Sequence, residues 1–154
     1  MNAKLVRVGS WLLRIALAMA FLSAVADRFG LWGPPGSPGV GWGDLTGFNA
    51  YVAKLNWFVP AGLIPVVGWA STAAETGLAL ALLIGWKLRW VSLASALLLL
   101  SFAATMTVAL GPKAPLDYSV FTAAAAAFLL FATQHERNMN MRGSSQIGKR
   151  LTNR

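Results

Sequence analysis

Residues 61–86, AGLIPVVGWASTAAETGLALALLIGW, form a long apolar stretch in which Glu75 is the only charged side chain. A helix that crosses the hydrocarbon core of a bilayer needs about 20 mostly apolar residues, so this stretch predicts a transmembrane helix. A charged group inside a membrane is costly unless another group pairs with it. We therefore expect a basic or polar partner for Glu75 on a neighbouring helix.

The composition indicates a membrane protein. Of the 154 residues, 56% are hydrophobic and 12% are charged, whereas soluble domains have about 45–50% apolar and about 25% charged residues. The chain has no cysteine and one histidine, His135, which excludes disulfides, thiolate metal sites and bis-histidine haem. The net charge of +8 is split among short segments between apolar runs, so a nucleic-acid-binding face is not expected.

Three further segments are long and apolar enough to span a membrane, at about 11–31, 90–110 and 116–133. With residues 61–86 they predict an all-α protein, a four-helix transmembrane bundle within residues 1–134.

The distribution of basic residues predicts the topology. Lysine and arginine concentrate at the amino end, in the connection 87–89 and in the carboxyl tail, whereas the other two connections hold only Lys54 and Lys113. Because cytoplasmic loops carry the excess of basic residues, both termini are expected in the cytoplasm. Arg14 and Arg89, each three residues after a tryptophan, are expected at the cytoplasmic interface with their side chains toward the headgroups.

The two ends of the chain lead to separate predictions. Residues 135–154 are polar and basic, and we expect a largely disordered cytoplasmic tail near anionic lipid. At the amino end, an alternative stays open: Ser23-Ala24-Val25-Ala26 resembles a signal-peptide cleavage site, and cleavage would leave three spans. Arg14 within the first apolar run favours a retained helix.

The first outer loop contains a short amphipathic pattern. Its apolar residues are Phe48, Tyr51, Val52, Leu55 and Phe58. Their spacing predicts a helix over about 44–57 that lies in the outer interface. A cover for the bundle is favoured over a substrate gate.

Counting residues along the helices places a candidate partner beside Glu75. Arg28 is about 20 Å above Arg14 on the first helix, and Glu75 is about 18 Å from Lys87 on the second. These depths predict an Arg28–Glu75 ion pair in the outer half of the membrane. Asp27 points about 100° away from Arg28 on the same helix, so both cannot face Glu75 equally well.

Further side chains are expected at this level, where they would form a polar, aromatic-rimmed pocket open to the outer face. They are Asp27, Trp69, Thr72, Thr105, Asp117 and Tyr118. Two interpretations stand side by side: the pair and its hydroxyls hold helices together, or they bind a polar head group or a proton.

Four stretches match a known family in order and spacing: ADRFG at 26–30, Glu75 with Gly77, GWKLR at 85–89 and KAPLDYSVF at 113–121. The pattern resembles the DoxX family of small bacterial membrane proteins. The resemblance implies a four-helix bundle in the bacterial inner membrane, associated with membrane redox systems. Arg28 and Glu75 would correspond to the family's basic and acidic positions, and no catalytic mechanism is implied for them.

Two functions follow as hypotheses. In the first, the protein is an accessory subunit of a membrane redox system, with a membrane or periplasmic partner. It would bind a quinone or a similar amphiphile through Arg28, Glu75, Asp117 and Tyr118. In the second, it is a non-enzymatic scaffold or assembly partner whose ion pair only fixes helix packing. Transport is a weaker third hypothesis, because four short helices would have to form a homo-oligomer to line a path.

Overall fold

The computed structural model describes residues 3–134, which contain helices and turns and no β-strand. The elements are α1 (Ala3–Arg28), α2 (Leu45–Leu55), a 3₁₀ turn (Ala61–Leu63), α3 (Ile64–Ile84), α4 (Leu88–Leu110), α5 (Lys113–Asp117) and α6 (Val120–Gln134). The all-α prediction is confirmed for this part of the chain. The predicted tail, 135–154, lies outside the described residues.

Three helical stretches are long and apolar enough to cross a membrane: Lys4–Arg28, Ala61–Ile84 and Leu88–Leu110. The fourth predicted span is divided, because the chain turns through Ser119 at φ +55 between α5 and α6. Within the described residues, α6 covers about 22 Å of a hydrocarbon core of about 30 Å. The four-span count and the cytoplasmic location of both termini therefore stay predictions.

One apolar core joins α1, α3, α4 and α6. Its buried members include Leu17, Phe21, Leu82, Val91, Ala96, Ala127 and Leu130. Ala124 and Ala127 of α6 are buried, and small residues such as these let a helix approach its neighbours closely.

The helices α1 and α3 are antiparallel neighbours, and α1 reaches α3 through an arginine at two levels. At one end of the bundle, Arg14 donates from Nε to the carbonyl oxygen of Leu82 (2.9 Å) and from Nη2 to that of Leu83 (3.0 Å). These carbonyls belong to the last turn of α3, where the carbonyl oxygens have no N–H donor within the helix. The Arg14 side chain is buried and completes the end of α3, and its level at the headgroups stays a prediction.

A second apolar cluster lies at the other end of the bundle. There Phe48 and Val52 of α2 pack on Ile64 at the start of α3, with Trp42 beside them. The α2 helix begins after Asp44, whose Oδ1 accepts a hydrogen bond from the Gly47 N–H at 2.6 Å and caps the helix. We call Trp42 together with α2 the cap. Its helix confirms the amphipathic helix predicted in the first loop.

Candidate functional site

Arg28 and Glu75 form the ion pair that their positions along the two helices predict. Nη2 of Arg28 donates to Oε1 of Glu75 at 2.6 Å, and Nη1 donates to Oγ1 of Thr72 at 2.8 Å. Thr72 and Glu75 are three residues apart and so share one face of α3. All three side chains are buried, with exposed fractions of 3% for Arg28, 1% for Glu75 and 4% for Thr72. The ion pair predicted from the sequence is confirmed.

Two aromatic rings of the cap cover the guanidinium. Its central carbon lies 3.8 Å from the ring centroid of Phe48 and 5.5 Å from that of Trp42. A desolvated guanidinium over an aromatic face is stabilised by about 2 kcal/mol. Arg28 therefore has partners from two directions, the carboxylate and hydroxyl of α3 on one side and the rings of the cap on the other.

Asp27 holds the loop that leads into the cap. Its Oδ2 accepts hydrogen bonds from the backbone N–H groups of Gly41 (2.9 Å) and Trp42 (3.0 Å). A Cβ at position 41 would lie 2.8 Å from that oxygen, so the loop approaches this closely only with glycine there. The two neighbouring charges at the end of α1 thus divide their roles: Arg28 binds α3, and Asp27 binds the cap.

The hydroxyl of Thr72 links the pair to the place where α2 meets α3. It accepts from Arg28 and donates to the carbonyl oxygen of Gly68 at 2.8 Å. A Cβ on Gly68 would lie 2.4 Å from Oδ1 of Asn49 on α2, so glycine permits the close approach of the cap. A continuous set of contacts therefore runs from α1 through α3 to α2.

The other predicted members of the pocket do not converge on the pair. Asp117 is exposed and pairs with Lys113 one turn away. Thr105 donates within α4, to the carbonyl oxygens of Ser101 (3.1 Å) and Phe102 (3.0 Å). Hydroxyls in apolar helices commonly satisfy themselves in this way.

The two aromatic members of the predicted pocket are also elsewhere. Trp69 is 52% exposed and packs against Phe29, with ring centroids 6.1 Å apart. Tyr118 is exposed and lies near Tyr51 of the cap. Burial raises the pKa of the Tyr51 phenol, and the neighbouring Tyr118 raises it further. The structure brings Arg28, Glu75 and Thr72 together, with Asp27 adjacent, and leaves the remaining four residues apart.

Among residues 3–134, no cluster of histidine, cysteine, aspartate or glutamate could hold a metal ion.

A comparison with protein-family models matches residues 6–117 to "Methylamine utilisation protein MauE". The match covers most of the chain and every residue of the charged site. The chain belongs to the MauE family. Together with the three apolar helices, this assigns the chain as a multi-pass membrane protein. No curated protein and no solved structure matches it significantly.

The assignment to the MauE family corrects the DoxX resemblance, which is wrong. Three of the features behind that resemblance are a base that ends the first helix, an acid in the second and a glycine-containing turn. In this chain they bury an ion pair and close a helical hairpin, and neither role is specific to one family. These features therefore indicate a helical architecture. They do not distinguish the MauE family from the DoxX family.

The residues that enclose the pair in this MauE-family chain were not predicted as its neighbours. The sequence indicates Phe48 only as an apolar residue of the amphipathic helix in the first loop, and it does not single out Trp42. A signal was present, since the amphipathic helix with Phe48 and Tyr51 is the next helix after the Asp27-Arg28 end of α1. The loop between α1 and α2 allows the aromatic residues to pack against Arg28.

Proposed function

We propose that the chain is a non-enzymatic accessory membrane protein of a methylamine-utilisation system, and that its buried ion pair holds a rigid cap on the bundle. The observation that carries this proposal is the enclosure of Arg28 between Glu75 and the rings of the cap, at 3% exposure. The family description supplies the methylamine-utilisation context.

The energetics of such a pair favour a role in assembly. Removing one partner of a buried ion pair costs about 3–5 kcal/mol, while replacing both by apolar residues is often neutral. In a bilayer, where no water reaches the remaining charge, Glu75 and Arg28 enforce one relative position of α1 and α3. Asp27 extends that constraint to the backbone of the loop at Gly41 and Trp42.

A fixed cap gives the protein a defined surface outside the bundle. The side of α2 that faces away from α3 carries Thr46, Ala50 and Lys54, all exposed. We infer that a partner of the methylamine-utilisation system docks on this surface, since its position is held by the buried contacts on the other side.

Quinone binding, the other hypothesis, has weaker support. Asp117 and Tyr118, two of the four groups expected to hold a head group, are exposed and away from the pair. The unpaired buried atoms near the pair are Oδ1 of Asp27 and Nε of Arg28, and a ligand would have to reach these beneath the cap.

The test combines deletion with complementation. In the organism that carries the gene, we expect deletion to impair growth on methylamine while growth on other nitrogen sources is unchanged. The wild type and the Arg28→Leu/Glu75→Leu double variant should restore growth, whereas Glu75→Ala should fail to accumulate in the membrane. Normal methylamine growth of the deletion strain would overturn the accessory role. A double variant that accumulates normally without restoring growth would instead overturn the structural role of the pair.

A further inference from the structure

An apolar groove runs along the outside of the bundle between α3 and α4, away from the charged site. Its volume is about 670 Å³, and its lining side chains are apolar. Small residues of α3 form one wall, and Leu97 and Leu98 of α4 form the other. Trp86, in the turn between the two helices, closes one end.

The small residues of the groove share one face of α3, and Gly77 among them is not required by packing inside the protein. Ala73, Gly77 and Ala81 recur at every fourth position and so lie on one face of α3. A Cβ added at Gly77 would meet no atom within 4 Å. Glycine lowers the stability of a helix interior relative to alanine, so its presence here keeps the groove open without serving the core.

The length and the closed end of the groove favour one kind of occupant. From Ala73 to the end of α3 at Ile84, the groove covers roughly 17 Å, close to the ~15 Å of one leaflet. At the closed end, Nζ of Lys87 lies 4.9 Å from the Trp86 ring centroid, and both side chains are exposed. A tryptophan and a lysine in this arrangement are typical of the headgroup level of a membrane. The groove thus offers an apolar channel of leaflet length with a positive charge at its headgroup end.

We propose that this groove binds one acyl chain of an anionic phospholipid, whose phosphate is held by Lys87. A flexible acyl chain needs no hydrogen-bond partner, and the lining supplies none except at Trp86. The negative headgroup complements the lysine. The site is independent of the methylamine-utilisation role, because Thr72, Phe48 and Trp42, the side chains that surround the Arg28–Glu75 pair, do not line the groove.

Native mass spectrometry of the purified full-length chain tests the site, with phosphatidylglycerol and phosphatidylcholine of identical acyl chains as probes. We expect about fivefold tighter binding of phosphatidylglycerol, the contribution of one basic residue near an anionic lipid. Lys87→Gln should remove this preference and leave the weaker, common binding of both lipids. Lys54→Gln, which removes an exposed lysine on α2 at the other end of the bundle, should leave the preference intact.

Filling the groove tests the acyl-chain part separately. Gly77→Leu should reduce the binding of both lipids several-fold, and Ala81→Phe provides a second filling variant should the first fail to fold. Gly9→Leu is the matched control, because Gly9 is also a helical glycine whose Cβ would meet nothing within 4 Å. Unchanged lipid binding in the filled variants would overturn the proposal. A dimer that Gly77→Leu abolishes while lipid binding persists would also overturn it and assign the groove to a second copy of the chain.

Discussion

Arg14 and Arg28 lie on the same face of α1 and contact α3 at two levels, Arg14 at the carbonyls of its last turn and Arg28 at Thr72 and Glu75. Fourteen residues differ from four full helical turns by only about 40°, so both side chains point to the same neighbour. The two arginines together fix the height and the rotation of α1 against α3.

We expect the Glu75 carboxylate to stabilise the folded protein by neutralising the buried charge of Arg28. Glu75→Ala leaves the buried guanidinium of Arg28 without a counter-charge, and we expect unfolding to become easier by about 3–5 kcal/mol. Thr72→Val, which removes only a neutral hydrogen-bond partner of the same guanidinium, should cost about 1–2 kcal/mol. Reversible unfolding in mixed detergent micelles measures both. Equal stability of Glu75→Ala and the wild type would contradict this account of the pair.

Gly85 is expected to tolerate no side chain, for two separable reasons. It ends α3 at φ +81, and a Cβ there would lie 2.8 Å from Nη2 of Arg14. Gly85→Ala should therefore cost more than the ~1 kcal/mol of a left-handed alanine. The control is the same substitution in an Arg14→Ala background, where the left-handed backbone of residue 85 is kept and the contact with Nη2 is removed. If Gly85→Ala costs the same in both backgrounds, the contact with Arg14 carries no cost.

Asp27 is expected to control the local order of the cap. Asp27→Ala leaves two backbone N–H groups without an acceptor, and each loss costs about 1–3 kcal/mol when the group stays buried. We expect faster hydrogen exchange at the amides of Gly41 and Trp42. Asp44→Ala is the control. Because the Asp44 side chain accepts the N–H of Gly47 at the start of α2, this variant should instead speed hydrogen exchange at Gly47. Uniform acceleration along the chain in Asp27→Ala would show a global effect and contradict the local role.

The phenol of Tyr51 is expected to ionise above the ordinary tyrosine range, because burial and the neighbouring Tyr118 both raise its pKa. A pKa raised by folding means that the neutral phenol is favoured in the folded state. Its contribution to stability is therefore complete below about pH 10 and is lost as the pH rises through the folded value.

Ultraviolet titration of phenolate absorbance resolves this ionisation, since the chain has only two tyrosines. Tyr118→Phe should lower the pKa of Tyr51 only part of the way, because burial is the larger cause. Tyr51→Phe should remove the late step altogether. A Tyr51 pKa within the ordinary tyrosine range in the wild type would contradict the packing of the cap.

The sequence predicted the helical elements, the amphipathic helix and the Arg28–Glu75 pair, because hydrophobic period and residue counts report depth in a membrane. It failed for Asp117, Tyr118, Thr105 and Trp69, since depth says nothing about the direction in which a side chain points. Residues at one level of a bundle lie on different faces of their helices. A polar side chain can also pair with a residue close to it in the sequence, as Asp117 does with Lys113.

The sequence by itself determined that the chain crosses a membrane through long apolar helices and that the charge of Glu75 needs a cation, since both follow from the cost of placing polar groups in hydrocarbon. Only the tertiary structure decided what encloses that pair and what holds Arg14. Phe48, Trp42 and the end of α3 are far from the two arginines in the sequence. The fold of the intervening loop and the rotation of α1 against α3 bring them into contact, and these depend on the packing of the whole bundle.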